Sequence, residues 1–191
     1  MSKPNLSPKL PEVPHPAKPL PILQLGHPRL NEATQFVEDP THPYVQWVVD
    51  SLFATVDNLG SPRKAAISAP QIDIPLRIAL FGVPPGRGDA EVIPLTPLIN
   101  PVILEKSPET LLAWERCLSF PDLTGEVCRH QHITYRYQTL EGETITRKAS
   151  NFHARVIQHE LDHLDGILYT QRMPDITRFG YVDEIQAQVV K

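Results

Sequence analysis

The sequence predicts an α+β fold, with mostly antiparallel sheets around a central helix that carries a metal-binding motif. Three observations predict it. Two helical stripes stand far apart, near 44–59 and 151–165. The chain between them alternates or runs apolar in short, strand-like pieces. Those pieces are separated by Gly- and Pro-containing turns and not by crossover helices.

The elements follow in chain order. Met1 to Pro21 holds seven of the 21 prolines, a composition that favours extended, solvated backbone. Residues 1–20 read as a Pro-rich N-terminal arm or surface strap, and residues 21–191 as one domain with a full core. From Tyr44 to Leu59 the apolar residues Val45, Val48, Val49, Leu52, Phe53, Val56 and Leu59 fall on one helical face, and Gly60 follows as a stop. Pro75 to Val83 reads as a buried strand, with "PPGRGDAE" as the loop after it. "LTPLINPVILEKS" is a second extended piece, interrupted by prolines. In "VCRHQHITYRYQTLEGETITRKAS", Ile133, Tyr135, Tyr137 and Thr139 share a face, and Glu141-Gly142 turns the chain back as a hairpin. The last long helix runs from about Asn151 to Asp165 and is closed by Gly166. No internal repeat is visible.

Composition excludes several function classes. Hydrophobic residues at 41% and charged residues at 21% read as a globular protein. A formal net charge of −4, with no run of basic residues, argues against nucleic acid or an anionic membrane as partner. The N-terminus lacks the apolar core of about 7–15 residues that a secretory signal needs. No apolar stretch approaches the ~18 residues of a membrane span. The cytoplasm is the expected location. Cys117 and Cys128 make no disulfide framework, so a metal or catalytic use is expected of them.

Within the last helix, "VIQHELDHLDG" places His159 and His163 four residues apart. On a helix they share a face, with Cβ atoms about 5–6 Å apart, so two imidazoles can grip one ion. Glu160 projects about 100° around the helix from His159, close enough to handle a proton from a water on that ion. Ala154, Ile157, Leu161 and Leu164 form an apolar side, and Val156, His159, Glu160 and His163 form another. A helix of this kind is buried on both sides, which shields the site from bulk water. A catalytic ion needs a third protein ligand and an open position. Glu184, Cys128 and Cys117 are the candidates. Glu184 stands 21 residues after His163 in a modest surface helix, Cys128 stands in an alternating strand, and Cys117 stands in the tight stretch "WERCLSFPDL".

"AAISAPQIDIP", "ERCLS" and "FHARVIQHELDHLDGILY" together resemble the three signature motifs of peptide deformylases, in the same order. The resemblance covers roughly Pro21 to Arg172, and "ILQLGHPRL" resembles the family's opening strand and turn. It implies that Cys117, His159 and His163 hold one divalent metal ion, natively Fe²⁺, with Zn²⁺ or Ni²⁺ as substitutes. It implies that Glu160 manages protons, while the Gln71 amide and the backbone N–H of Leu118 stabilise the oxyanion. It also implies the reaction: removal of the formyl group from N-terminal formyl-methionine of nascent proteins, giving formate, with the ribosome as a transient partner. Glu115 and Arg129 suit an ion pair bracing the cysteine loop, and Ile67 and Val156 suit the methionine pocket. Oligomeric state is left open.

The resemblance breaks at named places. Lys64 and Ala66 stand where the family has glycines, and Arg116 stands where it has the glycine before cysteine. Lys64 and Ala66 are expected to crowd the substrate, and Arg116 to reach solvent or to bind a carboxylate in the cleft. Two rival readings follow: a deformylase-like protein with altered substrate or lost turnover, and a zinc endopeptidase using Glu184.

Overall fold

The computed structural model of the protein describes residues 10–60, 66–86 and 91–189. Lys64 and the central half of the "PPGRGDAE" loop, residues 87–90, lie outside the described residues.

The first helix, α1 (Pro43–Asn58), starts where the sequence dictates. His42 caps it by accepting from the Tyr44 N–H, and Pro43 fills the first turn, where no N–H is needed. Its stripe of Val45, Val48, Val49, Leu52 and Val56 is buried, whereas Leu59 at the end is exposed.

Five strands, β1 (Ala66–Ser68), β2 (Ile78–Val83), β3 (Ile93–Lys106), β6 (His132–Gln138) and β7 (Thr144–Ser150), form one sheet in the order β1-β2-β3-β6-β7. A second sheet holds β4 (Thr110–Glu115), β5 (Leu123–His130) and β8 (Phe179–Tyr181), in the order β4-β5-β8. Every ladder is antiparallel, as the α+β expectation requires. The central helix α2 (Asn151–Leu164) packs between the sheets, and α3 (Val182–Val189) lies beside the smaller one.

The buried run of β2 has a packing reason. Ile78 and Leu80 join the core under α1, and Phe81 and Val83 join the core under α2. A strand covered on both faces has no polar side to show, so its sequence is continuously apolar.

Several expectations need correction. The proline-interrupted piece is one 14-residue strand, β3, whose register shifts between Ile99 and Val102. Pro101 cannot donate to a ladder, and Asn100 takes a left-handed φ of 52° beside it. Its side chain is fully used, binding the Val37 N–H, the Val37 carbonyl and Gln138. The alternating run from Val127 to Thr139 is two strands in different sheets, broken at Gln131. Thr139 belongs to the turn, which spans residues 139–143 and is wider than a Glu141-Gly142 turn. The opening segment Ile22–Leu25 forms no strand. Its Leu23 and Leu25 N–H groups reach the carbonyls of Gln71 and Ser119, two different segments, so no ladder propagates.

The Pro-rich arm, from Leu10 on, is a strap along α1. Leu10 and Leu20 pack on the core, His15 stands edge-on to Trp47 at 5.3 Å, and the Leu20 N–H donates to Thr55.

Candidate active site

Two backbone devices build the site. The first is the end of β4. Past Glu115 the chain leaves the strand and turns at residues 118–119, with Glu115, Cys117 and Ser119 buried and Arg116 and Leu118 exposed. The second is α2, where Arg155, His159 and His163 recur at four-residue spacing on one face. The helix ends in a Schellman motif: the Ile167 N–H reaches the Asp162 carbonyl, the Gly166 N–H reaches the His163 carbonyl, and Gly166 takes φ +72°.

Cys117 Sγ lies 3.1 Å from His163 Nε2. The ligand atoms of Cys117, His159 and His163 all fall within 4.8 Å of one another, and the three residues are buried. Among the described residues they are the one such cluster of His, Cys, Asp and Glu. The two rings stand nearly perpendicular, at 75°, with centroids 4.9 Å apart. Cys128 is exposed on β5 and borders a different cavity, and Glu184 is exposed on α3. Neither joins the cluster.

The donor set fits a borderline-soft divalent ion: one sulfur and two imidazole nitrogens leave a coordination position open. Among the described residues, Glu160 Oε2 and His163 Nδ1 are buried without a hydrogen-bond partner. Buried polar atoms are rarely left so, and Glu160, which lines the cleft, is placed to meet a ligand there.

Charged groups behind the cluster fix it. Glu115 accepts from His159 Nδ1 at 2.9 Å, from Arg129 at 2.9 and 3.0 Å, and from Arg155 at 2.7 Å. Arg129 also pairs with Asp162, which Arg172 binds from outside. Burial alone would raise the Glu115 pKa, but His159 and Arg129 outweigh it and hold the carboxyl well below its ordinary range. Burial likewise opposes charge on His159, yet hydrogen bonds to Cys117 and Glu115 raise its pKa well above the usual value. An imidazole made basic in this way is a stronger ligand once an ion replaces the proton. Burial, then His159, lowers the pKa of His163.

Glu160 is fully enclosed. Burial pushes its pKa up to about 7, although His159 and a hydrogen bond with Ser68 pull the other way. A carboxyl poised near neutrality both takes and gives a proton at working pH. Gln71 is oriented from both ends. Its Oε1 accepts from the Ser68 N–H and hydroxyl, and its Nε2 points to Cys117 Sγ at 3.5 Å and Ser119 Oγ at 3.1 Å.

The cluster opens into a cleft of about 720 Å³ lined by Ala66, Gln71, Arg116, Leu118, Val156 and Glu160, among others. Ile67 differs from expectation. It is fully buried beneath α1 and does not line the cleft, because strand alternation sends it to the face opposite Ala66. Sequence reasoning missed Ser68, Ser119, Arg155, Asp162 and Arg172. Arg155 and Asp162 were within reach, standing four before and three after His159 on the same helix. Ser68 and Arg172 carry no comparable signal.

Comparison with known proteins agrees with this geometry. A family model described as polypeptide deformylase matches residues 19–179. The chain is 41% identical over 164 residues to peptide deformylase 1 of Bordetella pertussis, covering 85% of this chain and 92% of that protein. It is 37% identical over 167 residues to peptide deformylase 1 of Nitrosomonas europaea, covering 86% and 93%. It resembles the crystal structure of the class I type b peptide deformylase from Acinetobacter baumannii with Met-Ala-Ser bound, at a TM-score of 0.73 and 32% identity over 82% of this chain and all of that one. With the cysteine, both histidines and the glutamate gathered at one cleft and a match spanning most of its length, this chain belongs to the peptide deformylase family.

Proposed function

We propose that the chain removes the formyl group from the N-terminal formyl-methionine of nascent proteins, releasing formate and a free amine. It is a metal-dependent hydrolase of linear amides. The observation that carries the reading is the meeting of Cys117, His159 and His163, with ligand atoms within 4.8 Å, beside the enclosed Glu160.

In this reading Cys117, His159 and His163 hold one Fe²⁺, with Zn²⁺ or Ni²⁺ as substitutes. The ion supplies Lewis-acid polarisation of the formyl carbonyl and brings the pKa of a water toward about 7. Glu160 takes the proton of the attacking water and delivers it to the departing nitrogen as the C–N bond breaks. Gln71 Nε2–H and the Leu118 N–H donate to the formyl oxygen as charge grows there. Support comes from Ser68, which turns the Gln71 amide toward Cys117, and from the Leu118 N–H, which no protein acceptor occupies among the described residues. Val156 and Ala66 border the space for the methionine side chain. The cytoplasm and a transient meeting with the ribosome follow from this substrate, and no described helix is long and apolar enough to cross a membrane. An endopeptidase built on Glu184 has no support, because Glu184 is exposed and outside the cluster.

The test is formate release from formyl-Met-Ala-Ser by protein loaded with Fe²⁺ under anaerobic conditions. Formate and free amine are expected in equal amounts. Protein that binds one ion per chain yet releases no formate from any formyl peptide overturns the reading.

A further inference from the structure

We propose that Arg116 is a carboxylate receptor on the cleft wall, favouring formyl peptides with an acidic group one or two residues after the methionine. The proposal rests on the deformylase reading and names the substrate class within it.

Three observations carry it. First, Arg116 is exposed and lines the cleft immediately before Cys117. Like Leu118, it is exposed and borders the cleft, while Cys117 between them is buried. Second, its guanidinium has no ion-pair or hydrogen-bond partner among the described residues. The other cleft arginine, Arg155, is consumed by Glu115 and by the carbonyls of Leu111, Ala113 and Val127. Third, the reach follows from chain lengths. Each extended peptide residue advances about 3.3–3.6 Å. With the formyl carbon at the Cys117–His159–His163 cluster, the first and second residues after methionine fall within the span of a side chain rooted beside Cys117.

The chemistry is that of a planar, permanently charged fork, which binds a carboxylate through two parallel N–H···O bonds. The cleft's opposing free charge is Asp122, exposed on the loop after Pro121; Glu160 is enclosed and committed to proton transfer. An exposed ion pair changes binding a few-fold, and a bidentate one in a half-closed cleft more, so the preference is expected at about five- to tenfold in kcat/KM. It shrinks at high salt, because the pair remains in contact with water. The carboxylate has two possible sources: an acidic side chain, or the C-terminus of a very short formyl peptide.

The experiment measures kcat/KM on C-terminally amidated formyl-Met-X-Ser and formyl-Met-Ala-X, where X is Glu, Gln or Lys. Formyl-Met-Ala is added as free acid and as amide, which separates the two sources. Glu is expected to exceed Gln, with Lys below both. Arg116→Gln should erase the order, Arg116→Glu should reverse it, and Asp122→Asn should widen it. Equal rates for Glu and Gln in the unaltered protein, or a Glu preference that survives Arg116→Gln, overturn the proposal. Binding of the amidated products Met-Glu-Ser and Met-Gln-Ser needs no turnover, so it separates the two readings. A Glu affinity advantage that Arg116→Gln removes sustains the receptor even if no formate appears, and the lack of one refutes it. Melting temperature and bound-ion content of each variant identify any that fail to fold.

Discussion

Glu115 Oε2 stands 2.9 Å from Nδ1 of His159, and so leaves Nε2 as the nitrogen available to an ion. The same carboxylate takes both ends of the Arg129 fork, and Arg129 reaches on to Asp162, three residues further along α2. One buried acid therefore sets the tautomer of a ligand and ties β4, β5 and α2 together.

Glu115→Gln is expected to weaken ion binding by about 10- to 100-fold, the usual effect of removing such a support. It also leaves Arg129 and Arg155 short of a buried counter-charge, so stability should fall by about 3 kcal/mol. Metal titration and urea unfolding of the same variant measure the two effects separately.

Cys117→Ala should abolish ion retention, while Glu184→Gln should leave it intact, since only the first residue belongs to the cluster. Metal content after gel filtration decides this. Retention by Cys117→Ala would mean that the ion is held elsewhere.

Glu160→Gln should keep the ion and lose about 10²–10⁴ in kcat, because the amide cannot carry a proton. Gln71→Ala should lose about 10²–10³, the cost of one oxyanion donor. Rates measured at equal metal occupancy separate these losses from poor loading.

Acid should destabilise the fold in two windows. His153 packs on Phe81 at 4.7 Å and bonds the Tyr135 hydroxyl, and burial followed by the Arg147 charge lowers its pKa to about 4. The unfolded chain then binds a proton that the native chain refuses, so stability falls as pH drops from about 6.5 to about 4. Because His153 is partly exposed, about 1 kcal/mol is expected from it. Glu115, with its pKa depressed, adds a further loss only below the ordinary carboxylate range. Urea midpoints from pH 7 to pH 4 should slope less steeply for His153→Phe than for the unaltered protein, the buried His163 keeping part of the slope.

Gly166→Ala should cost about 2 kcal/mol or more. Its φ is +72°, and a Cβ there would meet Asn31 and Glu32 backbone atoms at 2.8 Å. Thermal unfolding measures the loss. An unchanged midpoint would mean that the Asn31 segment moves aside at no cost.

Much of this protein was legible in its chain because the relevant signals are local. A 3.6-residue apolar period is a property of neighbours in sequence, so α1 and α2 were found within a residue or two. The spacing of His159, Glu160 and His163 is likewise built into the helix. Where the signal was non-local, the reading failed. Alternation continues across Gln131, so period alone could not show that β5 and β6 belong to different sheets. The apolar character of Ile67 could not say which face of β1 looks into the cleft.

By itself, then, the amino-acid order determined the two helices and the metal-binding face of the second. Only tertiary structure decided that the sulfur lies 3.1 Å from an imidazole 46 residues away, and that Glu115, Arg129 and Asp162 interlock behind it. Helix and strand periods are set by backbone sterics within a few residues, whereas meetings between distant segments are set by which apolar faces bury one another.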